Sequence, residues 1–520
     1  MNIDFSNAKK YSLDGKSLTI EQIYEISNAK IGSIFVELSE DAVKLMKSSR
    51  QYVDDIVSKG EPVYGINTGF GALSSKHIPK EDLSTLQYNL IRSHCTGVGA
   101  PFPKLTTRAI MVLRANCLAS GFSGVSLECV QLLLDFINYG VTPVVPEKGS
   151  VGASGDLAPL SHIALALIGE GDVEFQEKII KSDFAIDYIK KSPAKLKAKD
   201  GLALINGTAV MAALGSLALY EAKHIIKIAD IATALTLEAV RGTKRAYDED
   251  ISLLKPQPGQ VLVSKNLTRL LAEVSEIASS HEDCGKVQDP YSLRCVPQVH
   301  GAIRQTLDHA EGVLKVEINS VTDNPLIFVD KKKVVSGGNF HGEALALCMD
   351  YLAMGLSEVA NISERRVEKM MNPTFSDLPA FLIKESGLNS GLMIAHVTMA
   401  ALASENKYLC HPASVDSIPT STDKEDHVSM GVTSGRKLHE VIRNVKTCLA
   451  IEFLCNTQGV DLLRPLKTNE ALERVHTLVR KHVPKIEKDR TFHIDIKNIT
   501  SLISNFEILS VVEDSIGELD

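Results

Sequence analysis

Between Lys148 and His162 the chain reads KGSVGASGDLAPLSH, and the centre of this stretch, Ala153-Ser154-Gly155, has residue types suited to chemistry on the backbone itself. An amide nitrogen can attack the carbonyl two residues back only where the chain bends sharply and no side chain blocks the approach. Gly155 offers an unhindered nitrogen and free dihedrals, and Ala153 offers an accessible carbonyl. Loss of water from the resulting ring, followed by loss of the Ser154 hydroxyl as a second water, leaves a methylene conjugated to an imidazolone. That group is a strong electrophile, which no ordinary side chain supplies. The tripeptide alone does not separate this chemistry from a flexible surface turn.

An electrophile built from a loop needs rigid elements around it, and the chain has the composition to make them. It has 520 residues, 44% hydrophobic and 23% charged, enough for a large core in a globular protein. From about Thr106 onward helical periodicity dominates. VSLECVQLLLDFINYG has apolar residues at helical spacing and stops at Gly140. Long helices are predicted over EAKHIIKIADIATALTLEAVRG, GEALALCMDYLAMGLSEVANISERRVEKMM, GLMIAHVTMAALASENKYL and GRKLHEVIRNVKTCLAIEFLCNTQGV. Strand signal is thin. KYSLDGKSLTI alternates around Asp14-Gly15 and predicts a hairpin, and PLIFVDKKKVVSGG predicts a second. Thr19 and Gln22 form a capping box opening a helix, and EPVYGINTGFGAL reads as a loop. The expectation is a mainly α protein, with a mixed α/β N-terminal domain over residues 1–200 carrying the reactive loop and a long-helix bundle over 201–520. Helices this long and apolar commonly bury faces against other subunits, so an oligomer is expected.

Several function classes are set aside by pattern. The net charge is −8 and no basic stripe with interleaved aromatics occurs, so no nucleic-acid partner is expected. Residues 201–220, GLALINGTAVMAALGSLALY, carry no charge over a membrane-spanning length. Their Asn206, Thr208 and Ser216, and the lack of a second such stretch, favour a buried helix and no membrane. Nine cysteines without a CxxC pair, and an N-terminus without an apolar run, predict reduced thiols in a cytoplasmic protein. GxSxG, GxxxxGK[ST] and HExxH do not occur. Asp426, His427 and Ser429 stand close in EDHVSM, but triads assemble in space rather than sequence. His341 with Glu343 does not make a metal site by spacing alone. No metal or nucleotide is expected.

The flanks of the tripeptide choose between the two readings of it. GSVGASGDLAPLSH resembles the signature of the aromatic amino acid ammonia-lyases and aminomutases. The likeness extends along nearly the whole chain through YGINTGFG, LALINGT, QDPYSLRCVPQVHGA, NSVTDNPL, SGGNFHGE, SERR, GLNSG, ASENK and EDHVSMG. The resemblance implies that Ala153, Ser154 and Gly155 cyclise to 4-methylideneimidazole-5-one (MIO). It also implies a mainly helical subunit of the fumarase/aspartase-like type, a homotetramer, and active sites that combine residues from several chains.

The same resemblance assigns roles. Tyr64 matches the catalytic tyrosine; free tyrosine has a pKa of roughly 10, so a base here needs a neighbouring cation or hydrogen bonds to its phenolate. Arg294, in YSLRC, matches a residue that binds the substrate carboxylate, a task its planar fork suits. Asn206, Gln288 and Tyr291 match groups that hydrogen-bond the MIO or the substrate, and Phe340 matches a wall of the pocket. Ser93-His94 and Glu425 match the positions that distinguish histidine-specific members, so the implied reaction is L-histidine to trans-urocanate and ammonia. An imidazole offers a donor and an acceptor, which a histidine and a carboxylate can meet, whereas a phenyl ring would leave both desolvated and unpaired. Ala209 stands where histidine-specific members usually have glutamine, and it matches the phenylalanine and tyrosine enzymes. A tyrosine or phenylalanine lyase or an aminomutase therefore stays open, as does a non-catalytic assembly protein on this fold. Asp156, next to the tripeptide, is a candidate proton-transfer group for the cyclisation.

Overall fold

The structure, a computed structural model, describes residues 3–69, 71, 75–282 and 284–520. The chain is mainly helical, and among the described residues its strands are two to five residues long, set in four small sheets. It divides into two compact units. The first comprises Met1–Tyr220, Glu311–Met349 and Pro412–Arg436, and the second Glu221–Ala310, Asp350–His411 and Lys437–Asp520.

In the first unit, helix Lys104–Ala119 is buried along nearly its whole length. Its Arg108 donates to the carbonyls of Ile26, Ser27 and Ile137. Those carbonyls belong to the last turns of helices Ile20–Asn28 and Leu127–Tyr139, so one guanidinium satisfies the ends of two helices. Burial pushes the Arg108 pKa down to about 10, which leaves it charged at neutral pH. The Thr19–Gln22 capping box is present, and the helix ending at Tyr139 closes on Gly140 in the left-handed conformation. Strands Leu326–Phe328 and Lys333–Val335 pair as the expected hairpin.

Asp14-Gly15 does not make a hairpin. Strand Lys9–Leu13 pairs in parallel with Ile34–Leu38, across the intervening helix. The Asp14 carboxylate instead accepts the N–H groups of Lys16 and Ser17, turning the chain into that helix, and the Gly15 N–H donates to Asn116 Oδ1.

The apolar stretch 201–220 is not one helix either. Helix Asp200–Ile205 stops, Asn206, Gly207 and Thr208 run without helical structure, and helix Ala209–Ala239 begins. The interruption is built in side chains: Asn206 is in an extended conformation, and Gly207 has φ +148, with Arg114 Nη1 2.4 Å from where a Cβ would stand. A second helix, Glu343–Met371, is also long and apolar enough to cross a bilayer, contrary to the expectation of a single such stretch. In both helices most of the apolar window, 78% and 67%, is buried inside the protein, as in a core helix.

In the second unit the helices Glu343–Met371 and Gly431–Leu463 are tied by a fully buried ion pair. Arg366 donates to both Glu452 carboxylate oxygens at 2.6 and 2.8 Å, and the hydroxyls of Thr236 and Ser363 complete the carboxylate's shell. Asp230, also fully buried, accepts from His300 Nδ1 and Arg304.

Candidate active site

The interrupted helix places the reactive tripeptide. Gly207 O accepts the Asp156 N–H at 2.8 Å, and residues 155 and 207 lie side by side as a parallel bridge. Gly155 has φ +75, and a Cβ there would stand 2.3 Å from Gly207 O, so only glycine fits. Asn206 Nδ2 donates to the Ser154 carbonyl at 2.7 Å, while its Oδ1 is buried without a hydrogen-bond partner. The loop is held from its other side by Ser429, whose hydroxyl donates to Gly152 O, and by Met430 N–H on Val151 O. Ser429 is therefore a brace for the loop and not part of a triad.

Asp156 is fully buried and serves the long helix. Its Oδ2 accepts the N–H groups of Val210 and Met211 at 2.8 and 3.0 Å, capping helix Ala209–Ala239 from across the chain. Burial outweighs these hydrogen bonds and pushes its pKa up to about 7, well above the ordinary 3.8. The folded chain then holds a proton that the unfolded chain releases near pH 4. Stability is expected to fall as pH rises from about 4 to about 7 and to level off above that, because the native state binds more protons in this window. Asp156→Asn should flatten that slope. Thermal midpoints of both proteins measured across the window check it, and parallel curves would contradict the assignment.

A cavity of about 890 Å³ opens over the tripeptide, and Tyr64, Ser93, His94, Ala153, Ser154, Gly155, Asn206, Phe340 and Glu425 line it. Tyr64 lies in a turn of the glycine-rich loop, whose Phe70, Ala72 and Leu73 lie outside the described residues. Ser154 Oγ donates to Glu425 Oε1 at 2.7 Å. The other carboxylate oxygen of Glu425 accepts from the hydroxyls of Thr420 and Ser421 at 2.6 and 2.9 Å. Burial favours the neutral acid, but the hydroxyls of Thr420, Ser154 and Ser421, with His94 nearby, prevail and hold the Glu425 pKa below the ordinary carboxyl value. Glu425 is therefore an anion at neutral pH, facing the residue that is to lose a hydroxyl.

His94 ends helix Leu83–His94, and its Nδ1 lies 2.8 Å from Leu90 O. Only the Nδ1–H tautomer satisfies that carbonyl, which leaves the Nε2 lone pair free to accept. Desolvation lowers the His94 pKa against the opposing pull of Leu90 O and Glu425, so the ring is neutral near pH 7.

Three predicted residues are not brought to this cavity. Gln288, Tyr291 and Arg294 belong to the second unit and do not line it. Gln288 and Tyr291 are exposed, the Arg294 guanidinium lies 4.3 Å from the Tyr291 ring centre, and Arg294 Nε donates to Asp289 O. Ala209 is 5% exposed and is not among the residues that line the cavity. Thr420 and Ser421, whose hydroxyls fix Glu425, are not among the residues the sequence singles out.

The family model for aromatic amino acid lyases matches residues 18–481. The chain belongs to the aromatic amino acid lyase family. Among relatives of this lyase, the histidine ammonia-lyase of Myxococcus xanthus is 48% identical over 503 residues, covering 97% of this chain and 98% of its own. That of Caldanaerobacter subterraneus is 49% identical over 506 residues, covering 97% and 99%. Among solved structures, histidine ammonia-lyase from Trypanosoma cruzi superposes with a TM-score of 0.90 at 46% identity, covering 97% of this chain and 95% of its own. The tyrosine aminomutase of Streptomyces globisporus gives 0.91 at 35% identity, covering 98% and 99%. The lyase fold is thus the mainly helical fumarase/aspartase-like one, and the chain is a carbon–nitrogen lyase of an MIO-dependent family.

Proposed function

We propose that this chain catalyses the non-oxidative deamination of L-histidine to trans-urocanate and ammonia. The observation that carries this is the meeting of Ser154, Glu425 and His94 at one cavity. The tripeptide fits an MIO: Gly155 has no room for a side chain, Asn206 holds the Ser154 carbonyl, and Glu425 holds the hydroxyl that must leave. Formed from Ala153, Ser154 and Gly155, the MIO supplies an electrophile for the substrate amine.

The chain's own groups do the rest. Neutral His94 accepts the imidazole N–H of the substrate at Nε2. Asn206 Oδ1, buried and without a hydrogen-bond partner, has the capacity to accept from an amine. Glu425, already ionised, is the group equipped to take the β-proton; the Tyr64 phenol lines the same cavity and is the second catalytic group. Phe340 gives the cavity an apolar, aromatic wall. Gln288, Tyr291 and Arg294, which are not among the residues lining the cavity, are the contribution of this chain to another copy's site in a homotetramer, with Arg294 as the carboxylate fork. Nine free cysteines suit a cytoplasmic protein.

A substrate panel tests the proposal. Purified protein given L-histidine should release ammonia with the ultraviolet absorbance of urocanate, and L-phenylalanine and L-tyrosine should be poorer by about 10⁴-fold in kcat/KM, the scale on which unpaired polar groups reject an analogue. Turnover of tyrosine in preference to histidine would overturn it, and a β-amino acid product would identify an aminomutase.

A further inference from the structure

Beside this cavity the fold assembles three ligand-type groups that the lyase chemistry does not use. His341 and Glu343 stand two apart at the start of helix Glu343–Met371, and His427 comes from the segment that carries Glu425. One ligand-capable atom from each of the three lies within 4.8 Å of the others. The two imidazoles are parallel, 5° between planes with centres 5.8 Å apart, and His427 Nε2 is 3.9 Å from Glu343 Oε2. That oxygen is buried and has no hydrogen-bond partner, an unsatisfied carboxylate atom of the kind folded proteins avoid.

The His341 ring has the backing of a ligating imidazole. Its Nε2 lies 3.3 Å from the His427 carbonyl, so Nε2–H donates there and Nδ1 keeps its lone pair. A backbone carbonyl that fixes the tautomer in this way is the usual support of a metal-bound histidine. Two imidazoles and one carboxylate are the donor set of zinc and its first-row neighbours, not of magnesium or calcium. Tetrahedral coordination asks for ligand atoms roughly 3.3 Å apart. His427 Nε2 and Glu343 Oε2 are already 3.9 Å apart, and the closing still needed is within the swing of His427, whose side chain is 67% exposed.

We propose that His341, Glu343 and His427 bind one divalent transition-metal ion of the zinc class, with a fourth position left to water. None of the three ligands is among the residues that line the cavity. They are nonetheless neighbours of two cavity walls: His341 follows Phe340, and His427 stands two residues after Glu425. A bound ion would join these segments and stiffen that side of the cavity.

Full-length protein stripped with EDTA and titrated with Co²⁺ is the test, followed by visible absorption and by metal analysis after dialysis. One Co²⁺ per chain with tetrahedral ligand-field bands, displaced by Zn²⁺, is expected, together with a rise in thermal midpoint. His427→Ala, at an exposed position, and the isosteric Glu343→Gln should each weaken binding by at least about tenfold, while His493→Ala should match the parent. Absence of saturable Co²⁺ binding, or unchanged affinity in His427→Ala, would overturn the proposal whatever the substrate panel gives.

Discussion

Ser154→Ala is expected to abolish ammonia release, with a loss in kcat on the order of 10³-fold or more, the scale on which removal of a covalent catalyst is felt. Intact mass gives an independent readout. The parent chain should weigh two waters less than its sequence, and the variant should carry its full sequence mass. The fold should survive, because among the described residues the Ser154 hydroxyl has only the Glu425 carboxylate as partner, and the carbonyl held by Asn206 is untouched. An unmodified parent mass, or a variant that keeps full turnover, would remove the electrophile from the account.

Glu425→Gln should be the next most damaging change. Glutamine keeps the size of the side chain and one oxygen, which can accept from Thr420 and Ser421 while its amide NH2 faces Ser154, but it cannot take a proton. A general base is worth about 10²–10⁴-fold, so kcat should fall by that factor, with a smaller change in KM. Before Ser154 reacts, the Glu425 pKa lies below the ordinary carboxyl value, held there against burial by the hydroxyls of Thr420, Ser154 and Ser421. Thr420 and Ser421 remain once the Ser154 hydroxyl has left, so the base form is expected to persist into the mildly acidic range and activity to fall as pH drops through the Glu425 pKa. The pH–rate profile checks this sign. A variant that has lost activity and also retains both waters would place Glu425 in making the electrophile, not in turnover.

The helices were legible because their signal is local. Gly140 ends its helix where the apolar spacing stops, and Thr19 caps where the capping box predicts. The Asp14-Gly15 hairpin failed for a local reason too: the same turn chemistry suits entry into a helix, and the partner of strand Lys9–Leu13 is parallel and lies beyond that helix. The break at Asn206–Thr208 was hidden by the apolar run around it, since what opens the helix is contact with Ser154 and Gly155, about 50 residues earlier. Nothing in the linear pattern marks the return of 311–349 and 412–436 to the first unit. That return brings Phe340 and Glu425 to the tripeptide. The residue types at the cavity were readable, and the side chains that hold them, Thr420, Ser421 and Ser429, were not, because an ordinary hydroxyl carries no signal until its partner is known.

The seating of Gly155 against Gly207 has a practical consequence. The two backbones touch only when the interrupted helix, Asp156 and the loop from Gly149 are all in place. If the tripeptide reacts in that seating, a chain that has lost two waters has passed through the correctly folded arrangement, and one that has not has failed to reach it. The mass of a preparation would then count its properly folded molecules one by one, even after denaturation, as a permanent record that no spectroscopic average provides.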